Sequence, residues 1–191
     1  MFTTIRISVM ALVLAFSVTL LMHPVQAVAA SKAEIDRDAR AALEKLYKGN
    51  PMAQALAEKA KGILVFPGIF KAGFIVGVQG GNGALIKDGK TVGYYNTTAA
   101  SYGLQAGVQE YGYAMFFMTD AALAYLDKSG GFEIGVGPSI VIVDKETAAA
   151  FGKSMTTTTL KDDIYAFIFS QKGLMAGLGL QGSKITKINP K

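Results

Sequence analysis

No glycine precedes position 49, and all twenty-two of the chain's glycines fall at or after it. Each glycine in a helix interior costs about 1 kcal/mol relative to alanine. The stretch before Gly49 is therefore free to be helical, whereas the glycine-rich remainder is biased towards strands, turns and bends, where glycine is tolerated or required. Ser31-Lys32-Ala33-Glu34 has the spacing of a capping box, and Ile35, Ala39, Ala42, Leu43, Leu46 and Tyr47 then recur at helical spacing. Asn50-Pro51 supplies the cap and first residue of a second helical piece reaching about residue 60. From Ile63 onward, runs rich in Val, Ile, Phe and Tyr alternate with turn signals. Lys87-Asp88-Gly89-Lys90 predicts a hairpin turn between strands at 84–86 and 91–96, and residues 183–188 read as a last strand. One helix interrupts the strands at 119–129, with Thr119 as its N-cap and Gly130 closing it. The expected fold class is α+β, mostly antiparallel β: a glycine-rich sheet sandwich or barrel with N-terminal amphipathic helices and one inserted helix.

Arg6, the apolar run 7–22, Pro24 and the small residues Ala27-Val28-Ala29-Ala30 have the three-part layout of a secretory signal. As a helix that run would reach only about 24 Å against a hydrocarbon core of about 30 Å, which disfavours an uncleaved membrane anchor. The expected organisation is a signal peptide over 1–29, cleaved after Ala27 or Ala29, and a single domain over 30–191, helical at 31–60 and mainly β at 62–190. The chain contains no cysteine, so neither disulfides nor a cysteine-linked lipid contributes.

A unit of the form glycine, three residues, glycine, aliphatic begins at Gly73, Gly103, Gly131 and Gly173. Residues four apart in a straight strand share one face, so the pairs Gly73 and Gly77, Gly103 and Gly107, and Gly173 and Gly177 would each lay a glycine groove on the sheet. Such a groove either lets the sheet curve and pack closely or forms a slot for an acyl chain.

The single histidine, His23, falls in the signal, so the domain has no His, Cys or Trp. Imidazole acid–base catalysis, thiol nucleophiles and most transition-metal sites are thereby removed, and no cofactor or metal is expected. The acidic pairs Asp36 with Asp38, Asp144 with Glu146, and Asp162-Asp163 read as turn and cap residues. Gly177-Leu178-Gly179-Leu180-Gln181-Gly182 spells a dinucleotide fingerprint but lacks the long helix that must follow it. Gly89-Lys90-Thr91 likewise lacks the glycine spacing of a phosphate loop. Five tyrosines between Tyr94 and Tyr113 fit a core, or an aromatic belt at a membrane interface.

The net charge is +5, or +4 once Arg6 is gone. Arg37, Arg40, Lys45 and Lys48 surround the polar side of the first helix, and Lys59, Lys61 and Lys71 follow, so that this segment suits an anionic surface. Glu34, Asp36, Asp38 and Glu44 on the same helix give it equally the composition of an ordinary solvated face. No basic cluster sits beside a nucleic-acid reading motif, and nucleic acid is not expected as a partner.

Several segments taken together resemble the SYLF domain family of lipid-binding modules. They are Lys61-Gly62-Ile63 leading to Phe66-Pro67, Lys71-Ala72-Gly73-Phe74, Gly83-Ala84 with Asp88-Gly89, and Ser101-Tyr102-Gly103-Leu104-Gln105-Ala106-Gly107. Gly137-Pro138, the stretch 165–169, Gly173-Leu174-Met175-Ala176-Gly177 and Gly182-Ser183 continue the pattern in family order. The resemblance implies membrane-lipid binding, with phosphoinositides as ligands of eukaryotic relatives and actin binding in the yeast members. It implies a lipid contact through residues 31–48 and the basic positions after them. The signal, the lack of an attached SH3 or FYVE domain, and Tyr94-Tyr95-Asn96 in place of a tryptophan-containing turn set this chain apart from eukaryotic members. A bacterial periplasm, without actin, is the compartment this suggests.

The leading expectation is thus a periplasmic, membrane-associated module whose partner is anionic phospholipid. The alternatives are a small outer-membrane β-barrel or structural envelope protein, and a serine-dependent envelope hydrolase using Ser101 or Ser183 with a lysine.

Overall fold

The computed structural model describes residues 30–128, 131–133, 137–143, 161–174 and 183–191. The expected signal, residues 1–29, lies outside them.

Helix α1 (Lys32–Gly49) starts where its cap places it. The Ser31 Oγ accepts from the Glu34 amide at 3.3 Å, and the Glu34 carboxylate accepts from the Ser31 amide at 2.8 Å. Asn50 ends α1 and caps α2 (Pro51–Ala57), its Oδ1 accepting from the Ala53 amide at 3.2 Å. Helix α2 stops short of residue 60 because the Lys59 and Ala60 amides turn back onto the Leu56 carbonyl and Gly62 opens a strand. Ser31→Ala should lower unfolding free energy by about 1 kcal/mol, read as a shift of the urea midpoint at unchanged slope.

The hairpin turn forms at Asp88 and Gly89, both with positive φ. The strands it joins are far longer than the local pattern suggests: β1 (Gly62–Lys87) and β2 (Lys90–Phe117). Glycines read as strand ends are instead bends within continuous strands, and Pro67-Gly68 falls in one of three register shifts along the ribbon. Helix α3 (Asp120–Tyr125) follows, with Thr119 Oγ1 accepting from the Ala122 amide. It ends before residue 129 because the amides of Leu126, Asp127 and Lys128 bond three residues back in tightening turns. Ser129 and Gly130 lie outside the described residues.

Strands β3 (Phe132–Glu133), β4 (Ile140–Val143), β5 (Ile164–Leu174) and β6 (Lys184–Ile188) complete one six-stranded sheet. Its order is β3-β6-β2-β5-β4, with β1 on the other edge of β2. Strand β6 pairs with residues 94–98 of β2 and β5 with residues 108–117. Every pairing is antiparallel except β4 with β5.

The β1–β2 ribbon doubles back on itself. A Cβ on Gly73 would lie 2.5 Å from the Gly77 Cα, so these two glycines meet at a sharp bend. Beyond it the arms of β1 converge: a Cβ on Gly81 would sit 2.6 Å from the Gly68 carbonyl oxygen, and one on Gly83 2.5 Å from that of Val65. The curled sheet has two packed faces, and residues alternate between them along each strand except where the register shifts. Ile63, Val65, Ala84, Ile86, Phe116 and Phe167 face outward beneath Ile35, Ala39, Leu46 and Leu56 of the helices. Leu64, Phe66, Tyr113, Met115 and Phe117 face inward, against Leu126 of the turn after α3 and Phe132 of β3. A transmembrane barrel has the opposite arrangement, with an apolar outside bare to lipid and a polar lumen. No helix among the described residues is long and apolar enough to cross a membrane.

Candidate functional site

Arg37, Arg40, Lys45, Lys48, Lys59 and Lys61 are all exposed, in and just after the helical layer. Arg37 is paired with Asp38 at 2.9 Å, which raises its pKa, the hydrogen bond being the main cause. Arg40 donates to the Gly89 carbonyl at 3.0 Å and so ties α1 to the hairpin turn. Lys45, Lys48, Lys59 and Lys61 have no acidic partner within salt-bridge distance among the described residues. Two open grooves flank α1. One, of about 630 Å³, is walled by Lys45, Asn50, Ile142, Phe167 and Phe169. The other, of about 400 Å³, lies between Arg40, Tyr47, Glu58, Ile86 and Lys87. The apolar row of α1 is spent on the sheet, so the helix offers outside partners its charged side only.

Lys71 does not share that surface. At 2 % exposure it lies on the inner face of the curled sheet, in register with the equally inward Gln109. Around these two is a buried polar zone between the arms of the ribbon. Tyr111 donates to the Gln79 Oε1 at 3.2 Å, and the Gln79 amide donates to the Ser183 Oγ at 3.0 Å. The Gln109 Oε1 and the Tyr113 hydroxyl are buried without a hydrogen-bond partner. Burial pushes the Tyr111 hydroxyl up to about 12, and it raises Tyr95 and Tyr113 further. Because the folded values lie above those of an unfolded tyrosine, the unfolded chain ionises first as pH rises. Stability should therefore be intact below about pH 10 and fall above it, as followed by thermal unfolding across an alkaline series.

Of the tyrosines, Tyr95, Tyr111 and Tyr113 fill the inner core rather than an interfacial belt. Of the groove glycines, Gly73 and Gly77 close on each other at the bend. Gly107 and Gly173 have positive φ, and a Cβ on Gly173 would collide with the Val108 carbonyl oxygen. These positions permit bending and close approach. Gly103 lies on β2, and Gly177 lies outside the described residues.

The acidic pairs are structural where they are described. Asp163 accepts from the Ser139 amide and hydroxyl and from the Thr119 hydroxyl, clipping α3 to β5. Asp36 accepts from the Tyr94 hydroxyl and Asp38 from Arg37. Asp144 and Glu146 lie outside the described residues. Ser183 is buried and held by Gln79, while Lys184 beside it is exposed. Ser101, half-buried, sits opposite Gly77 at the bend. Among the described residues no cluster of His, Cys, Asp or Glu has the makings of a metal site.

One surface escaped the sequence reading. Phe70, Val76, Val78 and Val108 are each more than half exposed, and all lie around the bend.

The family described as Las17-binding protein actin regulator matches residues 98–190, which run from the middle of β2 through β6. No curated protein matches the chain. The matched family is one of binding modules, and its domain carries the centre and one edge of the sheet described above. Over residues 98–190 the chain is therefore similar to the SYLF domain family.

Proposed function

We propose that this protein is a non-enzymatic module that docks on anionic phospholipid membranes from the periplasm. The observation that carries the reading is the set of exposed lysines without acidic partners, Lys45, Lys48, Lys59 and Lys61, on a chain of net positive charge. Cations left unpaired near an anionic membrane contribute about 1 kcal/mol each to binding. Similarity to the matched family supports the same reading, since the resemblance to SYLF domains implies lipid binding. Actin has no place in the compartment the signal suggests.

The packing supports docking on a bilayer over carriage of a single lipid inside the sheet. The inner face of the sheet, where an acyl slot would have to lie, is filled by Phe66, Tyr113, Met115 and Phe117. Calorimetric titration separates the two modes. Heat of binding is expected with vesicles of mixed neutral and anionic phospholipid. None is expected with a short-chain anionic phospholipid kept below its micelle concentration. Stoichiometric binding of the short-chain monomer would instead establish a carrier.

A further inference from the structure

We propose that the folded end of the β1–β2 ribbon is a wedge that dips into the interface of an anionic phospholipid bilayer, with Lys172 and Lys184 meeting the headgroups. The proposal rests on the lipid-docking reading above and names the surface that makes the contact.

The exposed apolar residues of this ribbon end occupy both of its outer faces. On one arm Phe70 and Ala72 point outward with Val108 opposite Ala72; on the other Val76 and Val78 point outward with Ala100 opposite Val78. Taking residue 75 as the middle of the bend and about 3.3 Å per residue, Val78 lies about 10 Å from the tip and Phe70 about 16 Å. An amphipathic element in the interface buries its apolar side to about 5–10 Å. That depth covers the valines and leaves Phe70 at the margin, where an aromatic ring is at home.

The apolar zone ends at a cation on each arm. Phe70 is in register with Glu110, and Glu110 with Lys172 of β5. Gly80 is in register with Thr98, and Thr98 with Lys184 of β6. Both lysines are exposed and have no acidic partner within salt-bridge distance among the described residues. Glu110 stands in the same row as Lys172 and the exposed Glu133 of β3 in the same row as Lys184, so each cation has one acidic neighbour in register that also faces the headgroups. An exposed apolar surface rimmed by charge marks an interaction site, and cations at its margin match anionic headgroups. The helices cannot supply the apolar part, because their apolar rows are already packed on the sheet.

The chain has no tryptophan, so a single introduced one reports its own surroundings. Val78→Trp places it on the wedge. Val92→Trp places it on another exposed valine, next to the hairpin turn at the other end of the ribbon. With vesicles of phosphatidylcholine containing phosphatidylglycerol, Val78→Trp emission should shift to the blue and be quenched by brominated acyl chains, while Val92→Trp emission stays unchanged on equally bound protein. Val78→Asp with Val108→Asp should weaken vesicle binding about ten-fold without moving the thermal midpoint, since both sites are exposed. Lys172→Glu and Lys184→Glu should each weaken it about five-fold or more. If the protein binds vesicles and Val78→Trp stays silent, another face docks: the wedge is wrong and lipid docking stands. If no vesicle binds, both readings fall. A blue shift of Val78→Trp without lipid that grows with protein concentration would assign the surface to a second copy of the chain and overturn the wedge.

Discussion

Gly83→Val is expected to cost about 3 kcal/mol or more, enough to leave a marginally stable domain partly unfolded. A Cβ at this position would stand 2.5 Å from the Val65 carbonyl oxygen and 2.6 Å from the Phe66 ring. Neither neighbour can yield. The oxygen belongs to the backbone of the other arm of β1, and Phe66 is fully buried in the inner core. The strain would spread to the whole closure of the curled sheet, which Gly81 and Gly83 make possible together. Gly49→Ala is the matching control: nothing lies within 4 Å of its Cβ, and its effect should stay within about 0.5 kcal/mol. Urea unfolding of the two variants reads this directly. A Gly83→Val protein with the wild-type midpoint would mean that the arms do not converge as described.

Phe116→Ala should lose about 3–5 kcal/mol. Phe116 is fully buried between sheet and helices and meets Phe167 edge-on at 5.2 Å between ring centroids. Its removal would leave a cavity beneath α1 that the capped, docked helix cannot collapse into. Phe70→Ala, by contrast, truncates a ring that is 55 % exposed and should change stability by less than about 0.5 kcal/mol. The pair of variants separates phenylalanines that hold the fold from one whose exposure fits an external partner. A large loss at Phe70 would show that its ring is packed rather than presented.

Features set by neighbours in sequence were legible in the chain itself. The Ser31–Glu34 box, the Asn50-Pro51 start and the Asp88-Gly89 turn are each determined by residues within three positions of one another, and all three form as expected. Strand length was not legible. A glycine that bends a strand has the same local signature as one that ends it, and only the partner strand, which supplies hydrogen bonds on both sides of the bend, tells them apart. The length of α3 was lost similarly, to turns that continue its pattern of apolar residues without its hydrogen bonding.

The candidate site was harder still, because around the bend the alternation of polar and apolar residues is inverted. Read in the usual way, Phe70-Lys71-Ala72 places the ring inside and the lysine outside. The structure does the reverse, since Lys71 joins Gln79, Gln109 and Tyr111 in a buried polar zone between the arms. Hence Lys71, grouped by sequence with the helix cations, belongs elsewhere, and the apolar ribbon end passed unnoticed. The pairing of glycines four apart was visible in the chain. That Gly73 and Gly77 meet across a fold, rather than lining one face, depends on the bend they create.

The most direct test of membrane docking is co-sedimentation of the purified protein with vesicles of phosphatidylcholine alone and of phosphatidylcholine with about a third phosphatidylglycerol, each at low and high salt. The expected result is binding to the anionic vesicles only, falling steeply as salt is raised, since exposed lysines supply the attraction. Equal binding to both compositions, or none to either at low salt, would contradict it.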